Sequence, residues 1–280
     1  MGTASAGLDL DATYEGLVGA MRSRGRVLVA FSGGVDSGLV ARLAHDGLGS
    51  NALAVIADAE SFSRREREEA LTEAREIGID VHVVEVTELA NPTYVANPTN
   101  RCYFCRKALA AELRPLAARL QFPVIADGVN VSDLGDHRPG IQAMDEESFW
   151  HPLVDFRLEK SDVRALARQL GLSFADKPSN ACLSSRIAYG EVITVEKLRR
   201  VEVAEEAIRA LGFPVVRVRY REGTARIEVP TEDLSRLVAP AVAEAVVEAL
   251  RDVGFVHVTV DLRGYRSGSM NEGPYPFATR

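Results

Sequence analysis

Hydrophobic positions enter this chain as short unbroken runs and later as alternation, with charged stretches of helical period between them. RVLVAF (26–31), ALAVIAD (52–58), VHVVEV (81–86) and FPVIADG (122–128) are runs of strand length rich in Val, Ile and Ala. Continuous apolar runs of this kind suit strands that are covered on both faces. Between and after them, SGLVARLAHDGL, FSRREREEALTEAREIG and EKSDVRALARQLGL (159–172) space their apolar residues as helices do, the last ending at a glycine. Strand and helix in alternation predict an α/β fold, a parallel twisted sheet with flanking helices.

The pattern changes near residue 190. VEKLRRVEVAEEAIRALG reads as a helix, and PVVRVRYREGTARIEVP as two alternating strands joined by REGT. A second helix, TEDLSRLVAPAVAEAVVEALRDVG, leads to the strand HVTVDL. That order predicts a small C-terminal α+β domain, its helices on one face of a small sheet. The expected organisation is a first domain over 1–188, a second over 189–267, and a frayed tail over 268–280. No internal repeat or low-complexity block interrupts it.

Composition narrows the class of protein. At 46% hydrophobic and 26% charged, the 280 residues have ample material for a soluble protein's cores. A net charge of −7 disfavours a nucleic-acid partner, since a scaffold gripping many phosphates shows a basic balance or stripe. MGTASAGLDL has no Lys or Arg and no long apolar stretch, which speaks against a secretory signal. The longest apolar candidate, LVAPAVAEAVVEAL, is interrupted by Pro240 and Glu244 and is too short to span a membrane. Three cysteines make no disulfide framework. The expectation is a cytoplasmic protein with reduced thiols and no membrane partner.

AFSGGVDS follows the first strand directly and opens the first helix after it. Glycines let backbone approach a ligand closely, and the N–H groups of a helix start favour an anion. The loop has no lysine, so it is not the Walker loop. A tight turn with Ser37 as helix cap would also explain it, but two hydroxyls, two glycines and an acid crowd the edge where α/β sheets bind ligands. DGVNVSDLGDHRPG (127–140) follows the fourth strand and lies at the same edge; alone it would read as a solvated turn-rich loop.

SGGVDS resembles the pyrophosphate loop of the N-type ATP pyrophosphatases, the group of GMP synthetase, NAD synthetase and tRNA thiolation enzymes. The resemblance implies that Ser32, Gly33, Gly34, Asp36 and Ser37 cradle the pyrophosphate leaving ATP, with Asp36 a magnesium or loop-ordering group. The second loop resembles the G-x-N-x-x-D…RPG element of the same superfamily. Gly128, Asn130, Asp133, Asp136 and Arg138 thereby become candidate nucleotide and Mg2+ contacts. HPLVDFRLEKSDVRALARQLGL resembles its PL…K..VR.LA..LGL segment, chiefly a packing element, with His151 structural rather than catalytic.

The remaining chemistry sits in cysteines and arginines. Cys102 and Cys105 form a C-x-x-C in NRCYFCRK, which suits zinc, redox exchange or simple packing. Cys182 stands among Ser179, Ser184, Ser185 and Arg186, polar and cationic surroundings that favour a thiolate. Its stretch, DKPSNACLSSRIAYGE, closely resembles the P-x-x-ACLSSRI-x-YG element of the LarE family, the sulfurtransferases that help make the nickel-pincer nucleotide cofactor. The resemblance runs over nearly the whole chain.

That resemblance implies adenylation of a carboxylate of pyridinium-3,5-biscarboxylic acid mononucleotide by ATP, then displacement of AMP by sulfur. It also implies a sulfur source as partner and a homo-oligomer. In one type of family member a single cysteine gives up its sulfur and is left as dehydroalanine. In the other, three cysteines hold a [4Fe-4S] cluster, and Cys102, Cys105 and Cys182 match that type. Three thiolates leave one iron open to a sulfur ligand, whereas a structural zinc would need a fourth ligand such as His137. VRVRY and ARIEV offer Arg217, Arg219 and Glu228, and alternation places Arg217 and Arg219 on one face. They read equally as a solvent-facing stripe or as contacts to the substrate's carboxylates and phosphate, and the family resemblance favours the second, as for Arg186. Alternatives are tRNA thiolation, amide formation from ammonia, and a catalytically silent nucleotide sensor.

Overall fold

The computed structural model describes residues 9–135, 139–178 and 181–266. Helix α1 (Leu10–Arg24) leads to strand β1 (Val27–Ala30), α2 (Val35–Leu48), β2 (Ala52–Ala59), α3 (Arg64–Ile77) and β3 (Asp80–Val86). Then come α4 (Pro92–Val95), α5 (Arg101–Arg119), β4 (Val124–Ala126), α6 (Val131–Leu134), α7 (Pro139–Glu146), α8 (Pro152–Asp155) and α9 (Lys160–Gln169). The rest runs α10 (Val195–Ala210), β5 (Arg217–Arg221), β6 (Thr224–Glu228), α11 (Leu234–Leu237), α12 (Pro240–Asp252) and β7 (His257–Val260). Strands β1 to β4 form a parallel sheet in the order β3-β2-β1-β4. Strands β5 to β7 form a second sheet, β5 antiparallel and β7 parallel to the β6 between them. The α/β class with a small additional sheet is therefore what the molecule has.

Two compact units divide the chain. One comprises the described residues of Met1–Thr87 and Cys102–Asn180, the other those of Glu88–Arg101 and Ala181–Arg280. The second unit thus takes in 181–188 and an excursion, 88–101, that a chain-order reading leaves with the first.

Within the first unit the central strand shows why its run had to be apolar on both sides. Val27 and Val29 join one core with α1, α2 and α9, while Leu28, pointing the other way, joins a core with α5 and α7. All three are fully buried, and each contributes about 1.5–3 kcal/mol by leaving water. Helix α3 is bounded as its sequence suggests: Ser63 and Glu66 cap each other's backbone N–H groups, and Gly78 ends it in a left-handed conformation.

Among the described helices longer than eight residues, three regions depart from the pattern. The second C-terminal helix is broken: α11 stops at Leu237 and α12 restarts with Pro240 in its first turn. Proline cannot continue a helix but suits the first position of one. The apolar pattern also named no helix over Leu10–Arg24 or Arg101–Arg119. The first buries only Leu17, Val18 and Met21, and the second carries Pro115 internally, so neither prints a strong periodic signal.

Gly38 of α2 faces Phe174 so closely that a Cβ would come within 2.4 Å of its ring. Gly38→Ala is expected to destabilise the protein by about 1–3 kcal/mol through overpacking, read as a lower guanidinium midpoint. Phe174→Leu should recover part of that loss in the double variant.

Candidate functional site

The chain leaves β1 toward β2 on one side, while β4 flanks β1 on the other. The carboxyl ends of β1 and β4 therefore mark the switch point at which open α/β sheets take ligands. SGGVDS (32–37) follows the first strand and DGVN (127–130) the second. Gly33 sits at φ +68, and a Cβ there would meet that of Ala70 at 2.7 Å. Gly34, not Ser37, is the N-cap of α2. Ser37 lies within the first turn, donating its hydroxyl to the Gly34 carbonyl (3.1 Å) and accepting from the Ser32 N–H (3.2 Å). That removes the alternative in which Ser37 merely caps the helix: its hydroxyl closes the loop on itself.

The second loop is pressed against the first. A Cβ on Gly128 would lie 2.5 Å from the Ser37 nitrogen and 2.8 Å from the Asp36 carbonyl carbon, so only glycine fits. Asn130, buried, donates its amide to Asp36 (3.2 Å), while its own N–H is held by Asp133 (3.2 Å). Lys160, in the first turn of α9, forms an ion pair with Asp36. Lys177 donates to the Gly33 carbonyl (2.9 Å) and to Glu73 (2.7 Å), and pairs with Glu69 (3.0 Å). Burial opposes the lysine's charge, yet the two carboxylates hold its pKa above the usual lysine range. Burial likewise pushes Glu73 up, despite Lys177. The sequence marks neither lysine as a site residue, because one lies in a packing segment and the other in the stretch that carries Cys182. Asp136 and Arg138 lie outside the described residues.

These groups fit a nucleoside triphosphate. A helix start offers N–H groups without intrahelical acceptors, and two lysines bring positive charge to the loop. Among the described residues, the buried carboxamide oxygen of Asn130 has no hydrogen-bond partner, the sort of acceptor that a ligand hydroxyl or a metal-bound water satisfies. Behind them, His151 bridges Asp127 (Nδ1, 2.6 Å) and Asp145 (Nε2, 3.0 Å), and Asp127 also accepts from the Val129 N–H at 3.0 Å. His151 braces the turn that carries Gly128.

In the second unit, Cys182 caps the short 3-10 turn Leu183–Arg186 and is half-buried. Arg186 is buried; it donates to the carbonyls of Ala181 and Cys182 and pairs with Glu205 (2.9 Å), so it holds the cysteine's backbone. Burial works against the charge of Glu205, but Arg186, Arg217 and Arg209 keep its pKa below the usual carboxylate range. Arg217 and Arg219 are buried as well, which rules out the solvent-facing stripe. Arg219 grips fully buried Glu228 through two nitrogens (2.8 and 3.0 Å) and donates to the Ser185 carbonyl (3.2 Å). Arg217 donates to the Val216 carbonyl (2.9 Å) and lies over the Tyr265 ring at 5.4 Å. Burial, followed by the charge of Arg186, lowers its pKa.

Cys102 lies in the first turn of α5, in the first unit, and Cys105 about one turn on; Cys102 is exposed and Cys105 half-buried. Three residues apart, they share one helix face. Among the described residues, no group of three or more His, Cys, Asp or Glu side chains is arranged to hold a metal ion. No helix among them is long and apolar enough to cross a membrane.

A parallel sheet ending in this glycine-rich phosphate loop defines a PP-loop ATP pyrophosphatase, and the NAD synthase family matches residues 14–117. Wider similarity runs to an uncharacterized protein of Synechocystis, slr1717, 48% identical over 88% of this chain and 92% of that one. The pyridinium-3,5-bisthiocarboxylic acid mononucleotide synthase of Lactiplantibacillus plantarum is 37% identical over 91% of this chain and 92% of its own. A tRNA-specific 2-thiouridylase of Xanthobacter autotrophicus, at 30%, covers only 64% of this chain and 56% of its own length. The chain belongs to the LarE family, that of the Lactiplantibacillus synthase.

Gly128→Ala would drive a methyl group into backbone that cannot yield. It is expected to weaken ATP binding at least about tenfold by displacing the turn, measured by calorimetric titration with MgATP. His151 supplies a pH test. Burial opposes its charge, but Asp127 and Asp145 raise its pKa above the ordinary value. A raised folded pKa gives stability fully present below the unfolded value of about 6.5 and lost as pH rises through the folded one. The stability advantage of wild type over His151→Gln should shrink across that window, in denaturation midpoints taken at successive pH values.

Proposed function

We propose that this protein is an ATP-dependent sulfurtransferase of nickel-pincer nucleotide cofactor synthesis. It adenylates a carboxylate of pyridinium-3,5-biscarboxylic acid mononucleotide, releases pyrophosphate, and replaces AMP with sulfur to give a thiocarboxylate. The observation that carries the reading is the family membership, with 37% identity to the Lactiplantibacillus synthase along nearly the full length of both chains. The site's chemistry supports it. Carboxylate is a poor electrophile with a poor leaving group, and attachment of AMP supplies the missing one. The SGGVDS hydroxyls and the α2 helix start would hold the departing pyrophosphate, with Lys160 and Lys177 balancing its charge. Asp36, Asn130 and Asp133 would order the Mg2+ side of the nucleotide.

For sulfur delivery we favour a [4Fe-4S] cluster held by Cys102, Cys105 and Cys182. The support is the donor set: three thiols, two of them one helical turn apart on an accessible face. Such a cluster would supply an open iron able to carry a transferable sulfide. Cys182 as sacrificial donor is the second reading, favoured by its half-buried place beside buried Arg186. Buried Arg217 would meet a substrate carboxylate or phosphate, and Arg219, held by Glu228, would keep the Cys182 loop in register.

Pyrophosphate release should require the mononucleotide. Cys182→Ala should keep that release while losing thiocarboxylate formation by at least about a hundredfold. No pyrophosphate with the mononucleotide would overturn the function. Iron and acid-labile sulfide after anaerobic purification, with repeated turnovers and unchanged intact mass, would support the cluster. One turnover with conversion of Cys182 to dehydroalanine would establish the sacrificial route instead.

A further inference from the structure

The excursion Glu88–Arg101 lies in sequence between β3 and α5 but belongs to the second unit, and the proposed chemistry gives it no task. It is built from buried polar side chains. Glu88 is buried, and its carboxylate accepts from the Tyr94 hydroxyl at 3.0 Å. The Tyr94 oxygen lies 2.6 Å from the hydroxyl of fully buried Ser184, two residues after Cys182. With the tyrosine proton directed at the carboxylate, Ser184 is the donor in that contact, which fixes its hydroxyl orientation.

A second set lies alongside. Asn97 is fully buried at φ +54. Its amide donates to the carbonyls of Ile187 (3.2 Å) and Ala188 (2.8 Å), and its side-chain oxygen accepts from Arg101 at 2.7 Å. Arg101 in turn lies over the Tyr189 ring at 5.0 Å. Backbone bonds from Gly190 to Asn97 and from Ile193 to Val95, both 2.9 Å, complete the seam. An apolar seam would avoid the desolvation these groups suffer. What directional bonds add is a single arrangement of the loop they hold.

We propose that Glu88–Arg101 is a positioning strap for the cysteine loop, with Tyr94 and Asn97 as positioning residues for the sulfur-transfer half of the reaction. The proposal rests on Cys182 taking part in sulfur delivery in the proposed function, whether as a cluster ligand or as the donor. Tyr94 acts through Ser184 on the turn that Cys182 caps. Asn97 acts through the carbonyls at the end of that loop, where Ile187 bridges to Tyr220 of β5.

The test uses Tyr94→Phe, Ser184→Ala, their double variant, and Asn97→Asp, which keeps the Arg101 acceptor while removing both amide donors. Each is expected to release pyrophosphate at the wild-type rate with unchanged KM for ATP, while kcat for thiocarboxylate formation falls at least about tenfold. The Tyr94/Ser184 double variant should be no worse than either single one, as a shared bond requires. Independently of any substrate, Cys182 alkylation by iodoacetamide is followed against pH by peptide mapping, after a chelator has removed any iron. Its rate profile should differ from wild type in Tyr94→Phe and Asn97→Asp. Equal loss of both half-reactions, undiminished thiolation, additive double-variant effects, or an unchanged alkylation profile would overturn the strap. If wild type itself releases no pyrophosphate with the mononucleotide, the function reading falls, and the alkylation profiles alone decide the strap.

Discussion

A carboxylate inside a phosphate-binding loop is an electrostatic conflict, and its resolution organises the first unit. Asp36 is the second residue of α2, in the turn where an anionic ligand would also sit. It is countered by Lys160 from the start of α9 and by the Asn130 amide from the loop after β4. Those two contacts draw together elements that come after different strands of the sheet. The acid therefore acts as a local organiser as well as a candidate cation ligand. Gly128 meets the same requirement sterically, because the loop that brings Asn130 to Asp36 must pass within backbone contact of Ser37.

Lys177 adds a further coupling. Its bond to the Gly33 carbonyl fixes a residue that already requires a left-handed backbone, and Glu69 and Glu73 hold the lysine from behind. A loop so constrained offers its N–H groups without reorganising when charge arrives, which is where electrostatic stabilisation of a leaving group is most effective. The same lysine stands five positions before the third cysteine in sequence.

The strands of the first sheet were legible because burial on both faces leaves no room for polar residues, and a run such as RVLVAF has few other readings. The phosphate loop was legible because glycine, hydroxyl and acid at a strand–helix junction are rare without a ligand. Burial of charge was not. Arg217 and Arg219 alternate on β5 just as exposed residues would, and only the placement of Glu205 and Glu228 shows that they face inward. Sequence gives spacing along a strand, but the partner that makes a buried charge tolerable comes from elsewhere in the chain. For the same reason sequence alone does not mark Lys160 and Lys177, whose partners lie 124 and 104 residues away. The excursion at 88–101 was equally hidden, since its bonds run to residues about ninety positions on.

The NAD synthase match covers 14–117 and so includes SGGVDS but stops before Asp127, Lys160, Lys177 and Cys182. The match therefore holds the phosphate loop and strands β1 to β3, while β4 and the groups that bind Asp36 and the Gly33 carbonyl follow it; in the proposed function the choice of acceptor and nucleophile would fall to that remainder of the chain. Here that remainder holds a set of buried arginines gripped by buried carboxylates, with a cysteine whose backbone one of those arginines grips in turn. Ammonia, the nucleophile of amide formation, asks for no thiol, and a tRNA asks for a surface rich in exposed positive charge. Guanidinium groups that are buried and paired are poorly placed to track a phosphate backbone and well placed to meet one small, multiply charged anion. In the proposed function, buried Arg217 would therefore separate the acceptors more sharply than the phosphate loop, which all of these reactions share.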